Sequence, residues 1–236
     1  IALGAQPLQP EQSETLTAGL TFQSEFGLSA SVDVYQIDVR DRFGQSNAFA
    51  VPAGVPNPLQ FTSISYFTND FDTRTRGVDV VLAYAAALGD GTFNARLAYN
   101  YNQTKVTNGT SVTIGNDTQR RLFEERLPQH NATGSLGYTI GAFTVTAAGR
   151  YYGAWTDSSG NATGDLFQRF GSIVLFDLSA AVQFTENLSI RVGAENIFDT
   201  YPDEATNQAV RGLIYSRNAP YDTDGGQYYV RLGVQF

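Results

Sequence analysis

The sequence predicts an all-β protein: an antiparallel, up-and-down β-barrel that crosses a membrane. Three observations predict it. Apolar residues recur at every second position along most of the 236-residue chain. The connections between these segments alternate short and long, and the face opposite the apolar one carries charge.

Taken in order, LTAGLTFQS places Leu16, Ala18, Leu20 and Phe22 on one face, with threonines and Gly19 opposite. GLSASVDV continues with Leu28, Ala30, Val32 and Val34, and RGVDVVLAYA with Val78, Val80, Leu82 and Tyr84. TFNARLAYNYN sets Phe93, Ala95, Leu97, Tyr99 and Tyr101 against Asn94, Arg96, Ala98, Asn100 and Asn102. NATGSLGYTI offers Ala132, Leu136, Tyr138 and Ile140, and AFTVTAAGRYY offers Phe143, Val145, Ala147 and Tyr151. LFDLSAAVQF supplies Phe176, Leu178, Ala180, Val182 and Phe184, and NLSIRVGAEN supplies Leu188, Ile190, Val192 and Ala194. The chain closes on QYYVRLGVQF, where Tyr228, Val230, Leu232, Val234 and Phe236 share a face and Arg231 lies on the other. Nine segments of about ten residues match the length of a tilted membrane-crossing strand.

SEFG, LGDG, IGA and TEN read as tight turns, alternating with long polar stretches over 44–73, 106–129, 157–172 and 200–225. Short periplasmic turns and long outer loops have this rhythm. Pro52, Pro56, Pro58, Pro128, Pro202 and Pro220 fall in the long stretches, where a missing N–H breaks no ladder. Helical spacing is nearly missing. After Val34 the apolar parity moves to Tyr35, Ile37 and Val39, which implies either a bulge or a strand rising past the lipid into a polar rim.

Composition narrows the function. A formal charge of −8 and a pI near 4.6 disfavour a nucleic-acid binder, because such a surface repels phosphate backbones. Without cysteine there is neither a disulfide framework nor a thiolate metal site. No methionine stands at position 1, so a chain beginning Ile-Ala-Leu-Gly reads as a processed product or a piece of something longer. No apolar 20-mer and no signal peptide are visible.

Arg96, Arg150, Asp177, Arg191, Glu195 and Arg231 sit on the faces opposite the apolar ones. Unpaired, such charges are prohibitive in a soluble core, yet in a hydrated lumen they are tolerated, which argues against a β-sandwich. Tyr84, Tyr99, Tyr101, Tyr138, Tyr151, Phe184, Tyr228 and Phe236 lie near strand ends, as in an aromatic girdle.

Several segments resemble TonB-dependent outer-membrane receptors. LQPEQSETLTAGL is similar to a strand entry of that family through Pro10, Glu11, Ser13 and Gly19, and VDVYQIDVRDRF through Tyr35, Ile37 and Arg42. TRTRGVDV matches through Arg76, Gly77, Val78 and Asp79. VGAENIFDTYP matches through Val192, Glu195, Asn196, Ile197, Phe198, Asp199, Tyr201 and Pro202, and the final RLGVQF resembles the family's finish. The resemblance implies a Gram-negative outer-membrane location and makes residues 1–236 the C-terminal portion, about nine strands, of a barrel with 22. A plug domain and TonB box would precede it. The implied activity is import of a scarce nutrient such as a siderophore, vitamin or glycan. The implied partners are lipid and lipopolysaccharide, the ligand, the TonB complex, and the barrel-assembly machinery. Tyr228, Val230, Leu232, Val234 and Phe236 would then form the assembly signal.

No catalytic set, cofactor motif or metal site emerges. His130 and Asn131 would point to opposite faces of a strand, so His130 reads as a polar rim residue and a barrel hydrolase is disfavoured. Glu124–Glu125 and Asp203–Glu204 read as loop surface. Ligand contacts are expected from rings and arginines of the long stretches: Phe67 and Phe71, Arg120 and Arg121, Trp155, then Tyr215, Arg217 and Tyr221. Phe61, Tyr66, Phe123, Phe167 and Phe170 belong to the same wider set. A passive porin is the alternative reading.

Overall fold

The computed structural model describes residues 5–46, 48–109, 117–158, 166–206 and 212–235. In chain order the elements are β1 (Gln12–Gln23), β2 (Leu28–Gln45), β3 (Phe49–Ala50), β4 (Ser63–Ile64), β5 (Phe67–Leu88), β6 (Gly91–Gly109) and α1 (Asp117–Glu125). Then come β7 (His130–Ile140), β8 (Phe143–Tyr152), β9 (Trp155–Ser158), β10 (Phe167–Phe170), β11 (Ile173–Thr185), β12 (Leu188–Glu195) and β13 (Gln227–Val234). Nine of the strands make one sheet in the order β1-β2-β5-β6-β7-β8-β11-β12-β13, and β3–β4 and β9–β10 are small hairpins. The nine strands of the sheet are the nine periodic segments. Phe236, the last residue of the expected assembly signal, lies outside the described residues.

Contacts divide the chain into two compact units: residues 1–16, 35–76 and 103–126, and residues 17–34, 77–102 and 127–236. In the second unit, neighbouring strands are antiparallel, with Leu97 against Gly134, Leu136 against Ala147, Leu178 against Ala194 and Val192 against Val230, and the β11–β12 register shifts once, between Gln183 and Thr185. Leu97, Leu136, Val145, Leu178, Val192, Val230 and Leu232 all remain exposed on one face. So much contiguous apolar surface on a finished fold marks contact with lipid or protein. No helix among the described residues is long and apolar enough to cross a membrane, which says nothing about strands.

Four tight turns join strands where expected. The first is the most constrained. Gly27 has φ 90°, and a Cβ there would sit 2.0 Å from the Ala85 carbonyl oxygen. The Ala85 amide in turn donates to Gly27 O at 3.0 Å.

Three expectations need correction. The first long stretch is shorter than 44–73, because β2 runs to Gln45 and β5 begins at Phe67. NDFDT read as loop because it is polar, yet with the RTR that follows it alternates Asp70, Asp72, Arg74 and Arg76 with Phe71, Thr73 and Thr75. Arg74 donates to Asp38 (2.6 Å) and Arg76 to Gln36 (2.8 Å), so polar cross-strand pairs replace apolar ones. The second stretch begins after Gly109, beyond β6, and holds the helix α1, whose single short amphipathic run of nine residues carries little periodic signal. In the third, β9 and β10 pair at its two ends, Trp155 with Phe170 and Ser158 with Phe167.

β2 runs unbroken over Leu28–Gln45, through the parity change after Val34. The Ser29 hydroxyl donates to the Ala83 carbonyl, and farther along Gln36 and Asp38 accept from Arg76 and Arg74. The left-handed residue of β2 comes later, at Asp41 (φ 56°).

Candidate ligand-capture site

In the second unit, the β9–β10 hairpin and the segment after β12 fold over the start of β11. Trp155, Phe170, Ile173, Leu175, Ala205 and Tyr221 form a buried cluster with Tyr152 and Ala219 packed against it. Trp155 stacks on Phe170 with ring centroids 4.6 Å apart, and its indole N–H donates to the Tyr221 hydroxyl at 3.1 Å. Burial raises the Tyr221 phenol above its ordinary pKa, against a lowering by the Trp155 hydrogen bond. Beside the cluster, buried Asp157 accepts from the Ser216 hydroxyl and the Asn218 side-chain amide, each at 2.8 Å.

The segment following β12 is a built turn. Asn196 and Asp199 take positive φ (48° and 53°), a conformation Asn and Asp tolerate best among non-glycine residues. The Asn196 side chain clasps Thr200 both ways, donating to its carbonyl at 2.8 Å and accepting from its amide at 3.0 Å. Its own amide donates to Asp177, which Arg150 grips with two donors at 3.1 and 2.9 Å. Phe198 is exposed and meets Phe176 edge-on at 5.6 Å on the apolar face. Tyr201 stacks on Tyr215 at 5.9 Å, and its hydrogen bond to Asp199 raises its pKa. Gly225 closes over this pair with φ 81°, and a Cβ there would lie 2.3 Å from the Tyr201 hydroxyl.

The first unit carries a different arrangement. Phe123 of α1 meets Phe71 at 5.4 Å, with Val106 buried beside them. The Arg42 guanidinium lies over both rings, 5.6 Å from Phe71 and 5.0 Å from Phe123, and donates to the Thr73 hydroxyl at 3.2 Å. Glu124 accepts from the Val106 amide at 2.9 Å. Docked this way, α1 leaves Arg120 and Arg121 at the surface, each paired four residues ahead, with Glu124 (3.4 Å) and Glu125 (3.0 Å). Surface pairs spaced four residues apart on a helix are worth about 0.3–0.5 kcal/mol.

Comparison with known proteins decides the family. The description "TonB dependent receptor-like, beta-barrel" matches residues 1–197. The chain belongs to the TonB-dependent receptor β-barrel family. It lies in the Gram-negative outer membrane. A curated relative, the iron-regulated outer membrane virulence protein of Vibrio cholerae, is 25% identical over 99% of this chain and 32% of its own length. Among solved structures, the outer membrane transporter YddB from Escherichia coli is similar with TM-score 0.70 and 12% identity, covering 97% of this chain and 33% of that one. The copper transporter OprC gives 0.64 and 21%, covering 98% and 32%. The FrpB iron transporter from Neisseria meningitidis gives 0.64 and 15%, covering 98% and 32%. The chain thus spans about a third of the length of these relatives.

Within this receptor barrel, the expected contact residues fall into two groups. Phe67 is exposed, Phe71 is buried under α1, and Arg120 and Arg121 are presented by it. In the other unit Trp155 and Tyr221 lie inside the loop cluster, Tyr215 stacks on Tyr201, and Arg217 is exposed. Phe71, Trp155 and Tyr221 thus support the loops and leave the surface to their neighbours. Residue types alone missed Arg42, Asp157 and Asn218. Arg42 was visible only as a motif position, and Asp157 in TDSSG carried no signal. His130 accepts or donates at Nδ1 with the Tyr99 hydroxyl (2.8 Å) and lies 4.9 Å from the Tyr101 ring, an aromatic trio at a strand end. Among the described residues no group of three or more His, Asp or Glu could hold a metal ion.

Proposed function

We propose that the chain is the C-terminal barrel portion of a receptor that captures a scarce nutrient and imports it across the outer membrane in a TonB-dependent way. One observation carries the reading: long connections are folded into ordered caps, one holding α1 through Arg42, Phe71 and Phe123, the other built on Trp155 and Tyr221. Loops that only bounded a diffusion pore would have no need of such supports. On this reading residues 1–236 are nine strands of a 22-stranded barrel, preceded by a plug and TonB box, and the last strand is the signal read by the assembly machinery. Lipid and lipopolysaccharide cover the apolar face. Phe67, Arg120, Arg121, Tyr215 and Arg217 touch the ligand, while Phe71, Trp155 and Tyr221 hold the surfaces that do. An iron chelate is the favoured class, since the similar structures include a ferripyoverdine receptor and the curated relative is iron-regulated. Capture rests on differential affinity for closed and open loops, and no bond is made or broken.

The test is growth of iron-starved cells producing the full-length protein and supplied with defined ferric siderophores. Growth promotion should need an intact TonB system and should fall about tenfold or more for Arg120→Glu/Arg121→Glu at unchanged protein level. Uptake of small solutes that ignores TonB would replace this reading with the passive channel.

A further inference from the structure

On the polar face of the second unit, Arg191 of β12 stands directly opposite Arg231 of β13. Like charges directly opposed across an antiparallel pair are destabilising, and among the described residues neither arginine is in an ion pair. Asp177 is already engaged by Arg150 and by the Asn196 amide. Glu195 lies four residues along β12, about 13 Å away at the rise of an extended strand.

Each guanidinium has a neighbour. Arg191 Nη1 reaches the Ser179 hydroxyl at 3.5 Å. Arg231 lies 5.8 Å from the Tyr229 ring. That ring lies over Gly193, where a Cβ would meet it at 2.5 Å, so the missing side chain is what seats the tyrosine. Two guanidiniums on directly paired residues of one polar face, one beside a hydroxyl and one beside a ring, offer the planar donor forks that suit an oxyanion.

We propose that Arg191 and Arg231 form a binding site for a carboxylate or phosphate group. Its source is either a free oxyanion on the polar face or an acidic side chain of polypeptide outside these 236 residues. The site is independent of the ligand contacts assigned to the long connections.

Thermal melts of the full-length protein in detergent, in sodium phosphate against sodium chloride at equal ionic strength, test it. If the oxyanion is free, the wild type melts several degrees higher in phosphate, Arg231→Gln loses that shift, and Arg231→Lys keeps only part of it. If the polypeptide supplies the carboxylate, phosphate has no effect on the wild type, and Arg231→Gln melts several degrees lower in chloride. Heat-modifiable migration on a gel confirms that each variant is folded. Any other pattern overturns the site, above all a variant melting as high as the wild type in chloride and responding to phosphate unchanged.

Discussion

At the scale of single residues, the loop cluster of the second unit depends on buried polar groups hydrogen-bonded to one another. Asp157 has 1% of its surface exposed and takes hydrogen bonds from Ser216 and Asn218, about sixty positions away. Asp157→Ala would remove the acceptor shared by both donors, at about 1–3 kcal/mol. That cost falls on the cap and spares the sheet. The segment between β12 and β13 should therefore be cut several-fold faster by protease added to intact cells, while the barrel's heat-modifiable migration stays unchanged. Asp157→Asn retains an acceptor and should be cut at an intermediate rate.

At the scale of elements, the turn between β1 and β2 admits one residue type at its end. Gly27 combines positive φ with backbone closer than any side chain allows. Gly27→Ala must pay about 1–2 kcal/mol for the left-handed conformation and also push β5 away from Gly27, breaking the Ala85 hydrogen bond. The expected result is a large drop in folded protein recovered from outer membranes, read by the fraction that is heat-modifiable. Gly89, also at positive φ but with nothing within 4 Å of its added Cβ, should tolerate Ala with only the conformational cost.

For the whole molecule, the governing contrast is between two faces of one sheet. Val192 is exposed on the apolar face between Ala180 and Val230. Val192→Arg places a charge in the lipid band, at about 2–4 kcal/mol near the bilayer midplane. Thr146→Lys, on the polar face beside Gly137 and Ser179, should be nearly neutral. Denaturant titration of both variants in lipid vesicles checks the difference, and equal losses would mean that the faces are misassigned.

By itself the sequence determined nine strands, their tight turns and the opposition of an oily and a charged face, because alternation along a strand is a local property that needs no knowledge of neighbours. It could not show that NDFDTRTR is a strand, since Asp38 and Gln36, which complete those side chains, come from another strand. Nor could it tell Trp155 as support from Trp155 as ligand contact, because the hydroxyl that satisfies its indole belongs to Tyr221, 66 residues on. Tertiary structure decided those points, for burial and hydrogen-bond partnership depend on which distant segments meet, and the local pattern of residues along one segment does not reveal that meeting.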